Sequence, residues 1–324
     1  VPELPDVTVY CESIEARVGG HALERIRLAS PFVLRTYAPP ASAFAGKQVK
    51  RVWRLGKRIV IECEEKLFVV IHLMIAGRFR WEEPNAKVPG KLGLAAFDFD
   101  VGTLILTEAA TKKRASIHLF ADEEQARALA AGGIELDGCT DAAFFQALTR
   151  ENHTLKRALT DPRILSGVGN AYSDEILWDA KMSPVKMTSR LTPAEASHLL
   201  TTARDTLGRF TTLLRDAAKE SFPEKVTAFR PEMAVHGKYG EPCRRCGSPV
   251  QRISYASNET NYCATCQTGG KLLADRALSR LLGADWPKSL EELEEMKASR
   301  VLAPGSPAEA PKRRRPKRPE KAPA

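Results

Sequence analysis

The sequence predicts an α+β protein built in consecutive parts: a β-rich block, a helical block, a metal knuckle and a basic tail. Three observations carry that expectation. Short β-type apolar segments fill residues 22 to 120, helical spacing dominates after residue 122, and four of the seven cysteines stand in two C-x-x-C pairs. The chain has 324 residues, more than the roughly 100–200 of one domain.

Residues 2–18 begin with a proline-rich turn and continue as a helix, because Val7, Tyr10, Cys11, Ile14 and Val18 recur at spacings of three and four. Arg58–Cys63 and Leu67–Leu73 read as strands around a Glu64–Glu65–Lys66 turn, and Ala96–Asp100 and Thr103–Leu106 flank a hairpin signal at Val101–Gly102. Several short strands in one block point to a β-sandwich or barrel. The helices expected next are Glu123–Ala131, Asp141–Thr149, Thr154–Leu159, Asn170–Asp179 and Pro193–Lys219, the last capped by Thr192 with Pro193 at its first position. A glycine turn, Ser166-Gly167-Val168-Gly169-Asn170, lies between two of them. Two further short helices are expected over 275–298.

The domains expected are 1–122, 123–235, 236–270, a helical extension over 271–300 and a tail over 301–324. The tail holds six prolines and seven basic side chains against two acidic ones, so it should not fold. It carries +5 of the net +9, which leaves the body only mildly basic and does not by itself establish a polyanionic partner. Hydrophobic residues make up 43%, enough to bury a core. No apolar run approaches the ~18 residues of a membrane span, and no charged-then-apolar leader opens the chain. A membrane partner is not expected.

Cys11, Cys63 and Cys139 stand singly in apolar or helical patterns and read as small buried side chains in a reducing compartment. Cys243, Cys246, Cys263 and Cys266 form two knuckles separated by sixteen residues. That spacing brings four thiolates around one tetrahedral Zn²⁺, and two-residue gaps suit chelation better than disulfides. Four thiolates leave no open position, so the zinc is structural.

The start Pro2-Glu3-Leu4-Pro5-Asp6-Val7, the turn Gly167-Val168-Gly169-Asn170-Ala171-Tyr172 and the Gly240-Glu241-Pro242-Cys243…Cys246…Tyr262-Cys263…Cys266-Gln267 finger follow one another in this order. Together they resemble the formamidopyrimidine-DNA glycosylase / endonuclease VIII family over residues 2 to about 270. The resemblance implies a β-sandwich N-terminal domain, a helix–two-turn–helix domain with a zinc finger, and damaged DNA between them. It implies a monomeric base-excision enzyme of the cytoplasm, associated with the bacterial nucleoid, with glycosylase and abasic-site lyase activity.

By the same resemblance, Pro2 is the nucleophile, Glu3 its acid–base neighbour, and Lys57 a phosphate holder that assists proton transfer. His72, Lys156 and Asn170 match DNA contacts, and Gly169 belongs to a turn whose N–H groups suit a phosphate. Ile75 takes the place of an apolar wedge, and Lys113 and Arg114 stand in the loop that faces the opposite strand. Asn258 aligns with the finger arginine of the family; it brings neither charge nor a bidentate fork. Val1 raises a condition: while it remains, the Pro2 nitrogen is an amide and cannot attack. Either residue 1 is removed, or its own amine acts, or the protein binds damage without catalysis. A zinc-ribbon adaptor for protein or RNA is the remaining alternative, and it leaves the N-terminal motif unexplained.

Overall fold

The computed structural model describes residues 2–224, 226–255, 258–274 and 282–301. The expectations for Val1, for 275–281 and for 302–324 of the tail lie outside the described residues.

Helix α1 spans Leu4–Val18. Asp6 accepts a hydrogen bond from the Glu3 N–H at 3.0 Å, which fixes the entry into the helix. Val7, Tyr10, Ile14 and Val18 then enter the core of the β part, as their spacing predicts. Eight antiparallel strands follow: β1 Ala22–Leu28, β2 Lys47–Leu55, β3 Arg58–Cys63, β4 Leu67–His72, β5 Gly77–Glu82, β6 Gly93–Phe99, β7 Gly102–Glu108 and β8 Ser116–Phe120. Their order is β5-β7-β6-β1-β2-β3-β4-β8. Strands β1 and β2 share only the pairs Ala22–Gln48 and Leu23–Lys47, and the sheet folds there into two layers. Leu23, Phe97, Phe99 and Leu104 of one layer meet Ile59, Ile61, Val69 and Ile71 of the other in one buried core.

The β6–β7 hairpin is shifted from its expected place. Phe99 pairs with Gly102, so Asp100–Val101 make the turn and Gly102 is a strand residue. The Trp81 indole lies where a side chain at position 102 would stand, and only glycine admits it. The Glu64–Lys66 turn is a 3-10 turn with Glu65 and Lys66 both at φ 58°.

Helices α2 Glu123–Arg127, α3 Asp141–Thr149, α4 Leu155–Thr160, α5 Asn170–Asp179 and α6 Pro193–Ala217 form the second part. The first is shorter than expected and ends ahead of Gly132–Gly133, whose chain turns against the Pro162 carbonyl. Thr192 and Glu195 cap α6 reciprocally, at 3.2 and 3.0 Å. Leu148, Leu159, Ile176, Leu199 and Leu207 make a second core.

Helix α5 is buried along most of its length, two acids included. Glu175 accepts from the N–H groups of Ala234, Val235 and His236 at 2.7, 2.9 and 2.9 Å. Asp174 takes Lys156 at 2.5 Å, His236 at 2.8 Å and Asn261 at 3.3 Å. The segment entering the metal knuckle is therefore tied to α5 by both carboxylates. Strands β9 Gln251–Tyr255 and β10 Asn258–Tyr262 and helix α7 Ala264–Thr268 follow. Within the described part of the extension, a 3-10 turn at Gly283–Asp285 and helix α8 Leu290–Val301 stand where two helices are expected. Leu290 and Leu293 pack on Tyr262, Ala264 and Leu272.

Burial pushes the Asp6 carboxyl up to about 6, against the opposing pull of the Glu3 N–H and Arg230. The folded chain thus holds this proton more tightly than the unfolded chain, and stability falls as pH rises from about 4 to about 6. Asp6→Asn keeps an acceptor for the Glu3 N–H but removes the titration. Denaturant unfolding should show the variant's stability, relative to the unaltered chain, rising across that window and staying constant above it. A pH-independent difference would contradict the assignment.

Candidate active site and metal centre

Pro2 and Glu3 are buried where the two parts meet. The Glu3 side chain, 2% exposed, leaves its own helix and crosses to α5. Its carboxylate accepts from the N–H groups of Gly169 at 2.7 Å, Ala171 at 2.9 Å and Tyr172 at 3.2 Å. These are unpaired donors of the first helical turn, where the helix dipole also favours an anion. The Leu4 N–H donates to the Gly167 carbonyl at 2.9 Å and adds a backbone link. The N–H of Gly169 is therefore engaged by a protein carboxylate, not left open for a phosphate.

Gly169 has an ordinary extended φ of −132°, so the requirement for glycine is one of space. A Cβ there would stand 2.5 Å from Glu3 Oε1 and 2.6 Å from Lys57 Nζ. Carboxylate and ammonium thus converge on one point beside Pro2. Lys57 sits in the tight β2–β3 turn, with Gly56 at φ 61°. Burial lowers its pKa, Lys156 lowers it further, and Glu3 opposes both.

Arg58 pairs with His72, His72 with Ser116, and Gly77 with Glu108. The connections that carry Lys57, Ile75 and Lys113–Arg114 consequently leave the sandwich at one end. A cleft of about 660 Å³ there is lined by Arg54, Lys57, Arg58, His72, Met74 and Gly167. Burial, with Arg58, Lys57 and His118 nearby, pushes His72 down to about 4, so its ring is neutral at pH 7. Met74, at φ 54°, lifts Ile75 to the tip of the β4–β5 turn, where it is 55% exposed. The buried Glu108 carboxylate accepts from the N–H groups of Arg114 and Ala115 at 2.8 and 3.1 Å. It shapes the loop that exposes Arg114, while Lys113 turns back onto the Glu108 carbonyl.

Lys156 reaches the same turn but does not face the cleft with a free ammonium. It donates to the Asn170 carbonyl at 2.6 Å, Ser173 Oγ at 2.8 Å and Asp174. Asn170 opens α5 and is half-buried. Asn258 lies in β10 opposite Tyr255; its side chain is outside the described part.

Sequence reasoning singled out neither Asp6 nor Arg230, which meet at 3.4 Å beside Glu3. They line a second cavity, of about 540 Å³, with Val9, Trp81, Phe222 and Val226. An acid three residues into α1 was the only sequence signal for either. Glu175 and the Asp174–His236 pair also went unseen; the signal was two adjacent acids inside a helix whose apolar spacing leaves them no polar face.

The Sγ atoms of Cys243, Cys246, Cys263 and Cys266 lie within 4.8 Å of one another. The Cys246–Cys263 and Cys243–Cys266 separations are 3.4 and 4.0 Å. A tetrahedral ion with Zn–S bonds of 2.3 Å sets its sulfurs about 3.8 Å apart, so the set fits Zn²⁺. Trp178 Nε1 donates to Cys243 Sγ at 3.3 Å, as it would to a thiolate, and the Arg245 guanidinium stacks 3.9 Å over that indole. The knuckle is a closed site for one structural zinc. Of the single cysteines, Cys11 and Cys63 are buried and Cys139 is only half-buried.

Three family models match the chain in order. They are the formamidopyrimidine-DNA glycosylase N-terminal domain over residues 1–115, the helix–two-turn–helix domain of the same proteins over 135–216, and the zinc finger found in these glycosylases and in isoleucyl-tRNA synthetase over 240–269. A formamidopyrimidine-DNA glycosylase of Ligilactobacillus salivarius is 30% identical, covering 82% of this chain and 99% of that relative. An uncharacterised formamidopyrimidine-DNA glycosylase-like protein of Mycobacterium tuberculosis is 39% identical over 50% of this chain and 99% of its own length. The Lactococcus lactis glycosylase in complex with DNA containing N7-benzyl-Fapy-dG superposes with a TM-score of 0.74 at 26% identity, covering 82% of this chain and all of that one. The same enzyme with DNA carrying an oxidised pyrimidine gives 0.73 at 26% identity.

Metal and fold should be lost together at the knuckle, because structural zinc contributes folding energy directly. Elemental analysis of the purified chain should give one zinc per molecule. Cys263→Ser should give well under one and lower the thermal midpoint. A metal-free preparation with an unchanged midpoint would contradict a structural role.

Proposed function

The chain belongs to the formamidopyrimidine-DNA glycosylase family, and from that premise we propose that it is a base-excision DNA glycosylase with abasic-site lyase activity. The observation that carries the proposal is the convergence of the Glu3 carboxylate and the Lys57 ammonium on Gly169, beside Pro2, where the two parts of the molecule meet.

A glycosylase must take the damaged nucleotide out of the stack. The cavity beside Asp6 and Arg230 adjoins Glu3 and receives the everted base in this reading. The Pro2 nitrogen, freed of residue 1, attacks C1′; the C1′–N bond breaks, and the base leaves with the electron pair and a proton. The nitrogen lone pair then forms the iminium at C1′ as the bond from C1′ to the ring oxygen breaks, and that oxygen takes a proton that Glu3 relays from solvent. Loss of a C2′ proton then expels the 3′ phosphate. Lys57, with its depressed pKa, is suited both to hold the neighbouring phosphate and to move a proton. His72, Asn170, Arg114 and, once it leaves the Glu108 carbonyl, Lys113 follow the DNA backbone, Ile75 fills the vacated stack, and the finger strand that carries Asn258 approaches the phosphate. Lys156 acts through Asn170, whose carbonyl it holds. In this reading 1–122 is the catalytic sandwich, 123–235 the DNA-binding helical domain, 236–270 the finger, 271–300 the extension and 301–324 the tail, and the protein works as a monomer on damaged DNA.

The test is base release and strand nicking on oligonucleotides carrying one oxidised purine, one oxidised pyrimidine or one abasic site, after mass spectrometry has shown which residue is N-terminal. Wild-type protein with Pro2 terminal should release a base from at least one lesion and nick the abasic strand. Pro2→Gly should lower base release by about 10²-fold or more. Tight binding of lesion DNA with neither release nor nicking would make the protein a damage-binding member of the family without catalysis.

A further inference from the structure

One face of the sandwich carries charge that the proposed chemistry does not use. Along β3, β4 and β8 the residues Ile59, Ile71 and Ile117 point into the core, so Arg58, His72 and His118 point outward. The chain continues this face beyond β8. Leu34 bridges to Ile117, the Arg35 N–H donates to the Ile117 carbonyl at 2.9 Å, and Thr36 Oγ1 accepts from the Leu119 N–H at 2.8 Å. Arg35 and Tyr37 therefore stand on the same outer side as His118.

The lower half of that face is covered. Ala126, with Leu129, packs on Val60, Phe68 and Val70. Above it stand two cations, Arg58 and Arg35, beside the rings of His72 and His118. Burial and Arg58 lower the pKa values of His72 and His118, with Arg35 adding at His118 and Lys57 at His72. No acid figures among these influences. Glu62 and Glu123, lower on the face, are held by Arg51, and Glu135 is held by Arg54 and Ser166. Arg58 Nε and His118 Nδ1 are buried without a hydrogen-bond partner among the described residues. Beyond Arg35 on this side stands Tyr37, 97% exposed. Arg58 and Arg35 form no ion pair among the described residues, and the bare Tyr37 ring stands on the same side, so cation and ring are both open to a ligand. An unpaired nucleic-acid strand supplies both complements, phosphates for the cations and free base faces for the ring, whereas a duplex keeps its base faces stacked inside.

We propose that the outer face formed by Arg58, His118, Arg35 and Tyr37 is a track for an unpaired stretch of the damaged DNA strand, leading away from the phosphate held at Lys57 and His72. The proposal rests on the DNA-binding reading above and extends it to strandedness. Two strand spacings from β4 to the Arg35 segment span about 10 Å.

The experiment compares two fluorescein-labelled oligonucleotides with the same central tetrahydrofuran site. One is a blunt duplex; the other lacks the complementary strand on one side of the site, prepared for each side in turn. Anisotropy titrations with full-length protein should show tighter binding to one of the partly unpaired forms than to the blunt duplex. Tyr37→Ala should weaken binding to that form about tenfold and leave blunt-duplex binding within about twofold. Arg35→Gln should reduce the salt slope on that form by about 0.7. Both side chains are exposed, so neither variant threatens folding. Blunt-duplex binding with no gain from either unpaired form, or equal losses on both substrates, would overturn the track alone. Failure of the wild-type protein to bind any of these oligonucleotides would overturn the DNA-binding reading and the track with it.

Discussion

The arrangement depends on one carboxylate seated on one helix end. Glu3 carries a charge out of water, and the N-terminus of α5 accepts it through three N–H groups of Gly169, Ala171 and Tyr172. Charge-assisted bonds to unpaired helix donors are among the stronger ones a protein makes. The contact joins residue 3 to residues 169–172, and so joins the sandwich to the helical part at the place where an amine nucleophile is expected. Gly169 is the geometric condition for it, since any side chain there would occupy the space of Glu3 and Lys57.

The same helix organises the other end of the molecule. Glu175 pins residues 234–236, Asp174 joins Lys156 to His236 and Asn261, and Trp178 donates to Cys243 of the metal knuckle. One buried helix thus holds the Glu3 carboxylate at its first turn and the zinc site at its last. Buried acids are costly unless fully bonded, and both are fully bonded here. The Glu3 contact and the metal knuckle are thus built on opposite ends of the same helix.

Local signals were legible in the sequence. Thr192 and Pro193 announced α6, the four cysteines announced their ion, and the N-terminal motif located Pro2 and Glu3. Their information lies within a few residues of one another. Contacts made across long separations were not legible. Nothing within a short window tells that Asp6 will meet Arg230, that Lys156 will spend its ammonium on Asp174, or that the N–H of Gly169 will face a carboxylate instead of a phosphate. The misplaced β6–β7 turn has the same origin, since the ring that requires Gly102 comes from Trp81 on another strand.

In the proposed reaction the Glu3–Lys57–Gly169 convergence serves an amine at Pro2. Reducing the protein with borohydride on an abasic oligonucleotide, digesting both components and locating the adduct by tandem mass spectrometry tests it directly. The deoxyribose remnant should be found on the N-terminal peptide, at the nitrogen of Pro2. An adduct on the ε-amine of Lys57, or on no residue at all, would contradict it.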